Sequence, residues 1–238
     1  MSKHERVLLD GPAGAIEVFV EAPLQPAPGH PMERSEPPSP PSPGRGAGGW
    51  PIAGIALVAH PHPLYGGTAD NKVVTTLAKA FRELGCATLR PNFRGVGGSA
   101  GAHDHGIAET DDLAAVHAYA RARFGADLPF YLGGFSFGAY VVTRLAQRLA
   151  QAGDPARRLV LVGTAAGFIE GLRRYETAAV PADTIVIHGA DDETVPLANV
   201  LAWAEPLDLA VSVVPGTDHF FHRKLHLLRR IIEAQWKH

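Results

Sequence analysis

The stretch at residues 131–142 reads YLGGFSFGAYVV. Two apolar runs meet at a single hydroxyl, Ser136, with Phe135 and Phe137 on either side and glycines beyond them. PFYLGGF has the composition and length of a buried strand, and FGAYVVTRLAQRLAQAG has helical spacing. The pattern Gly134-Phe135-Ser136-Phe137-Gly138 therefore sits where a strand ends and a helix begins. G-x-S-x-G alone is common by chance, but in this context it predicts a nucleophile elbow. A serine in such a turn is pushed up and out of the sheet. Side chains two residues before and two after would collide, so both positions need glycine. The competing reading is a glycine-rich turn with an incidental serine.

Outward from this point the chain alternates. On the N-terminal side, IAGIALVAH reads as strand, NKVVTTLAKAFRELG as helix with a capping glycine, CATLRPNF as strand and IAETDDLAAVHAYARARF as helix. On the C-terminal side, RRLVLVGTA and DTIVIHGA read as strands, PLANVLAWAE as helix, LAVSVVPG as strand and FFHRKLHLLRRIIEAQW as a closing helix. The strands are near-continuous apolar runs, as in a parallel sheet covered on both faces. At the N-terminus, RVLLD and AIEVFVEA flank Gly11-Pro12-Ala13-Gly14 and read as a hairpin. The whole predicts one doubly wound α/β domain over residues 1–238, with ligands at the carboxyl ends of the strands. Residues 23–51 interrupt it. They hold ten of the chain's 20 prolines and read as an irregular insertion loop.

A serine needs a base, and the base needs a carboxylate to orient it. Among 12 histidines, position selects His219, in the loop of VVPGTDHFF before the last helix. His222 and His226 fall on that helix. The loop HGADDETVP offers Asp191, Asp192 and Glu193, and the spacing Gly189-x-x-Asp192-x-x-Val195 singles out Asp192, with Asp191 as the fallback. The chain order Ser136, Asp192, His219 is that of the α/β hydrolases.

These motifs carry a resemblance. HPHPLYGGTADNKVV, NFRGVGGSAG, GFSFGAY, HGADDETVP and GTDHFF make the chain from Ile52 onward similar to small bacterial α/β hydrolases, in the cap-poor group near carboxylesterases and dienelactone-hydrolase-like proteins. The resemblance implies a mostly parallel eight-stranded sheet and serine-dependent ester hydrolysis. Dienelactone hydrolases proper carry cysteine where this chain has Ser136. One oxyanion donor is expected from the backbone N–H of Phe137 and the other from the loop AHPHPLYGG. Pro61 and Pro63 have no N–H, which leaves His62, with Leu64 second.

The segment AGFIEGLRRYETAAVPA, where larger relatives insert a cap domain, has room for one short helix, so an open, shallow site is expected. Leu64, Tyr65, Phe135, Phe168 and Phe220 are the candidate apolar walls. This favours small or short-acyl esters. Thioesters and lactones would pass through the same acyl-enzyme, and the rival of another class is a non-catalytic binding protein on the same fold. HPH beside His103, Asp104 and His105 invites a zinc reading, but the spacing matches no zinc motif and a serine mechanism has no use for the metal. No metal or other cofactor is expected.

Gly44 to Gly49 is formally G-x-G-x-x-G but lacks a preceding strand, and the glycines of NFRGVGGS read as turn geometry with Arg94 as an anchor. A formal net charge of -2 argues against nucleic acid and anionic membranes as partners. The single cysteine, Cys86, allows no intrachain disulfide. Together with the absence of an apolar leader or spanning run, it predicts a cytoplasmic protein. The expected partner is a small ester.

Overall fold

The computed structural model describes residues 4–24 and 51–236. The insertion read over residues 23–51, including the formal G-x-G-x-x-G at 44–49, lies almost wholly outside the described residues. β1 (Glu5–Gly11) and β2 (Gly14–Glu21) form the expected hairpin about a two-residue turn. β3 (Gly54–Ala59) leads through a short 3-10 turn (Pro63–Tyr65) into α1 (Lys72–Glu83). Asn71 caps α1 by accepting the Val73 N–H, and Gly85 follows it in the left-handed region. Then come β4 (Cys86–Pro91), α2 (Ile107–Phe124), β5 (Phe130–Phe135), α3 (Phe137–Gln151) and β6 (Arg158–Val162).

The sheet has eight strands in the order β1-β2-β4-β3-β5-β6-β9-β10, with β9 (Ile185–Gly189) and β10 (Val211–Val214) closing it. β1–β2 and β2–β4 pair antiparallel, and every later pair is parallel. The central strands β3, β4 and β5 are apolar and buried nearly throughout because α1 packs on one face and α2 and α3 on the other. Cys86 is a small buried core residue, and burial pushes its thiol up to about 12. Arg94 anchors the turn after β4 to α2, donating through Nε and Nη2 to Asp112 at 2.8 Å each and to the Ala108 carbonyl. The turn glycines behave as expected: Gly95 and Gly97 have positive φ, and a Cβ on Gly97 would meet Glu17 at 2.2 Å.

Two expectations are corrected. The cap segment holds no helix; β7 (Gly167–Phe168) and β8 (Arg174–Tyr175) form a two-stranded hairpin instead. Gly167 needs its positive φ to pass Asn199, which lies on α4 (Leu197–Ala204) and donates to the Phe168 carbonyl. The closing helix α5 (Leu225–Trp236) also starts later than read. Residues 220–224 form turns with Phe221 and Arg223 in the left-handed region, so His222 lies off the helix and pairs with Asp218, while His226 lies on it. No helix among the described residues is long and apolar enough to cross a membrane.

Candidate active site

The turn between β5 and α3 is tight for the reason the sequence implied. Ser136 has φ 57 and ψ -118, a conformation that L-residues adopt only under constraint. A Cβ on Gly134 would lie 2.6 Å from the Ala139 backbone, and one on Gly138 would lie 2.4 Å from the His60 carbonyl oxygen. The constraint is held from several sides. The Ser136 N–H donates to Val162, and its carbonyl accepts from Tyr140 and Ala165.

His219 reaches this serine from the loop after β10. Its Nε2 lies 3.0 Å from Ser136 Oγ and its Nδ1 2.7 Å from Asp192 Oδ2. The other carboxylate oxygen accepts the N–H groups of Thr194 (2.9 Å) and Val195 (2.7 Å). Two backbone bonds join the loops that carry the pair: Ala190 N–H to Val214 and Asp191 N–H to Thr217. Gly189 makes this approach possible, since a Cβ there would strike the Thr217 carbonyl at 2.3 Å. Of the adjacent acids, Asp192 is buried and Asp191 is exposed, which separates the two candidates. Ser136, Asp192 and His219 are each less than a tenth exposed. An imidazole in this line can take the hydroxyl proton while the carboxylate holds its other nitrogen protonated.

His62 and Phe137 sit side by side, their ring centroids 4.9 Å apart. Neither of their backbone N–H groups donates to any described residue, so both are free to meet an anion. The Leu64 N–H, the second choice from sequence, is engaged by the His62 ring at 3.3 Å. Burial pushes the His62 imidazole down to about 4, helped by the neighbouring His103, Arg173 and His105. His60, fully buried, is a brace. Its Nδ1–H donates to the Pro61 carbonyl at 2.7 Å while Nε2 accepts the Phe93 N–H at 2.9 Å, and burial lowers it to about 4. Both ring nitrogens are thus used within the protein. Among the described residues no group of three His, Cys, Asp or Glu side chains could hold a metal ion.

A cleft of about 400 Å³ opens over Ser136 and His219. Of the expected walls, Tyr65 and Phe220 line it. Phe135 does not: it is fully buried and forms a floor, its ring 4.8 Å from that of His219. Leu64 and Phe168 are exposed outside the cleft. Ile169, Glu170 and Leu172 from the β7–β8 hairpin and Glu193 and Thr194 from the loop after β9 complete the lining. These were missed because only the folded hairpin brings residues 169–172 over the serine. Arg173 holds the hairpin there. Its guanidinium stacks on Tyr175 (4.6 Å) and Tyr140 (5.3 Å) and donates to the His105 carbonyl.

Comparisons with known proteins identify the fold that carries this geometry. The α/β hydrolase fold family model matches residues 64–178. A curated relative, the protein RP471 of Rickettsia prowazekii, is 32% identical over 181 residues, covering 73% of this chain and 74% of that protein. Two solved structures align over nearly all of both chains. XC6422 of Xanthomonas campestris, described as an α/β serine hydrolase without lid, is 36% identical with a TM-score of 0.77, covering 100% of this chain and 95% of its own. An α/β serine hydrolase homologue from Coxiella burnetii is 34% identical with a TM-score of 0.75, covering 98% of each. Relatives of this identity and coverage, together with an eight-stranded sheet of this order, establish that the chain belongs to the α/β hydrolase family, alongside its small serine hydrolases.

Proposed function

We propose that the protein is a serine carboxylesterase that cleaves small or short-acyl esters through an acyl-enzyme. The observation that carries this reading is the unbroken line Asp192 Oδ2, His219, Ser136 Oγ beneath the cleft, with spacings of 2.7 and 3.0 Å. Ser136 Oγ attacks the ester carbonyl carbon as His219 Nε2 takes the hydroxyl proton. The carbonyl oxygen becomes an oxyanion and accepts the N–H groups of Phe137 and His62. One such donor stabilises the transition state by about 2.7–4 kcal/mol. As the intermediate collapses, the C–O bond breaks and the alcohol leaves with the proton held on His219. Water repeats the sequence on the acyl-enzyme and releases the acid.

The acyl preference follows from the cleft. It is bounded by a five-residue excursion, 169–173, between the strand pairings at 167–168 and 174–175 rather than by a cap domain. Its apolar lining, chiefly Tyr65, Ile169, Leu172 and Phe220, suits a short chain better than an extended lipid.

The test is labelling with a serine-directed fluorophosphonate, followed by p-nitrophenyl ester turnover across acyl lengths. Labelling at Ser136 and highest turnover on acetate to butyrate are expected. A wild type that neither labels nor turns over any ester, thioester or lactone overturns the reading in favour of a binding protein. Labelling with turnover of thioesters or lactones alone would retain the serine mechanism and replace the substrate class.

A further inference from the structure

The mechanism above leaves one buried titratable group beside its acid unused. His188, at the end of β9, is completely buried. Its Nε2 lies 3.0 Å from the Val195 carbonyl oxygen and 3.4 Å from Asp192 Oδ2. The Val195 N–H in turn donates to Asp192 Oδ1 at 2.7 Å. The imidazole and the carboxylate are thus tied to the two ends of one residue, and Oδ2 stands between the rings of His188 and His219.

The chemistry of these contacts fixes the protonation state. A carbonyl oxygen only accepts, so Nε2 must carry a hydrogen. Nδ1 is buried with no hydrogen-bond partner among the described residues. A second proton there would be a buried, unsatisfied cation, and burial itself pushes His188 downward against the opposing pull of Asp192. His188 is therefore neutral, in the Nε2–H tautomer. It presents a dipole to Asp192 and no competing cation. The charged and titratable groups facing it are Asp192 and His219; Asp191, Glu193, Asp218 and His222 line the surface outside.

We propose that His188 is a positioning residue for Asp192, an inference that rests on the serine-esterase reading. By holding the Val195 carbonyl it fixes the residue whose N–H clamps Oδ1, so that Oδ2 is the oxygen turned to His219. Its own N–H, at 3.4 Å too far for a full hydrogen bond, turns its dipole toward that oxygen. A leucine would fill the space and leave the Val195 carbonyl unsatisfied.

The experiment compares wild type, His188→Leu and His188→Gln for kcat and KM on p-nitrophenyl butyrate across pH, alongside melting temperature. For His188→Leu, kcat falls about tenfold with KM within about twofold, and the acid limb of kcat/KM moves up by roughly 0.3–1 pH unit, because a carboxylate no longer facing the Nε2–H dipole attracts the His219 imidazolium more strongly. His188→Gln keeps an N–H near the same place and recovers most of both changes. Variants that lose thermal stability with kcat and the acid limb unmoved would reduce His188 to a core residue and overturn the proposal. Nitrogen-15 NMR of the wild type supplies a readout that does not depend on a variant folding: the Nε2–H tautomer at neutral pH is expected, and an Nδ1–H or doubly protonated ring overturns it. Since wild-type labelling by fluorophosphonate is measured separately, failure of the esterase reading is distinguishable from failure of this one.

Discussion

Gly138, in the first turn of α3, and His60, in the loop after β3, are in backbone contact: a Cβ at position 138 would stand 2.4 Å from the His60 carbonyl oxygen. This is the point where the strained serine turn meets the loop that carries the second free N–H. The Gly138→Ala substitution therefore has to move backbone, and it is expected to cost about 2–4 kcal/mol. Differential scanning calorimetry checks it; for a chain of this size the melting temperature falls by roughly 4–16 °C. An unchanged melting temperature would mean that the start of α3 and the loop after β3 are not in contact.

Ser136→Ala removes the hydroxyl and leaves the φ-restricted turn in place. Activity on p-nitrophenyl butyrate is expected to fall by about 10³–10⁶, with fluorophosphonate labelling lost and melting temperature raised or unchanged. Residual activity within tenfold of wild type would locate the nucleophile elsewhere.

Asp192→Asn keeps the shape of the acid and reverses one of its bonds. An amide NH₂ facing His219 Nδ1 favours the tautomer with the proton on Nε2, where it cannot accept from Ser136. The expected loss in kcat is on the order of 10⁴, as tautomer inversion gives in serine enzymes generally. The exposed neighbour provides the control: Asp191→Asn should leave kcat within about twofold.

Stability should fall on mild acidification before the carboxylates titrate. Burial lowers His60 to about 4 from an ordinary value of 6.5, and His103, His117 and His188 are lowered in the same direction. Between these values the unfolded chain binds protons that the folded chain refuses. The stability from His60 is therefore complete above about 6.5, is lost progressively as pH falls, and levels off near 4. That residue alone accounts for about 3 kcal/mol across the whole window. Urea denaturation at pH 7.5, 6 and 5 measures the slope, and His60→Gln should flatten it.

Arg173→Ala should loosen the β7–β8 hairpin without touching the line beneath it. The guanidinium spans Tyr140, Tyr175 and the His105 carbonyl, and the residues it holds in place include Ile169 and Leu172 of the cleft wall. KM is expected to rise about three- to tenfold with kcat nearly unchanged, because the loss is of ground-state packing. A matching fall in kcat would instead link the hairpin to the reacting groups.

The β5–α3 turn was readable because steric law ties its glycines to its serine, and the parallel order followed from apolar runs that leave no polar face. Asp192 and His219 were readable because each lies in the loop that follows a strand. What escaped was geometry made by the fold and not by local pattern. Phe135 looks like a wall in sequence but alternates inward on β5 and becomes a floor. The last helix starts late because Phe221 and Arg223 take left-handed backbone, which no residue type there announces. The cap segment was too short and too mixed in pattern to reveal a hairpin, and His188 looked like one apolar-strand histidine among twelve.

The bond between Ser136 and His219 spans 83 residues, and that between His219 and Asp192 spans 27. A ribosome adding about 5–20 residues per second therefore releases the serine roughly 4–17 s ahead of the histidine. During that interval the growing chain holds a hydroxyl in a half-built sheet with no base to activate it. On the proposed mechanism reactivity arrives only when the loop after the edge strand β10 settles against Gly163, where a Cβ would stand 3.2 Å from the His219 ring. On the proposed mechanism, assembly of the sheet's far edge acts as a safety catch: a molecule whose β10 edge is incomplete or unzipped lacks the base beside Ser136.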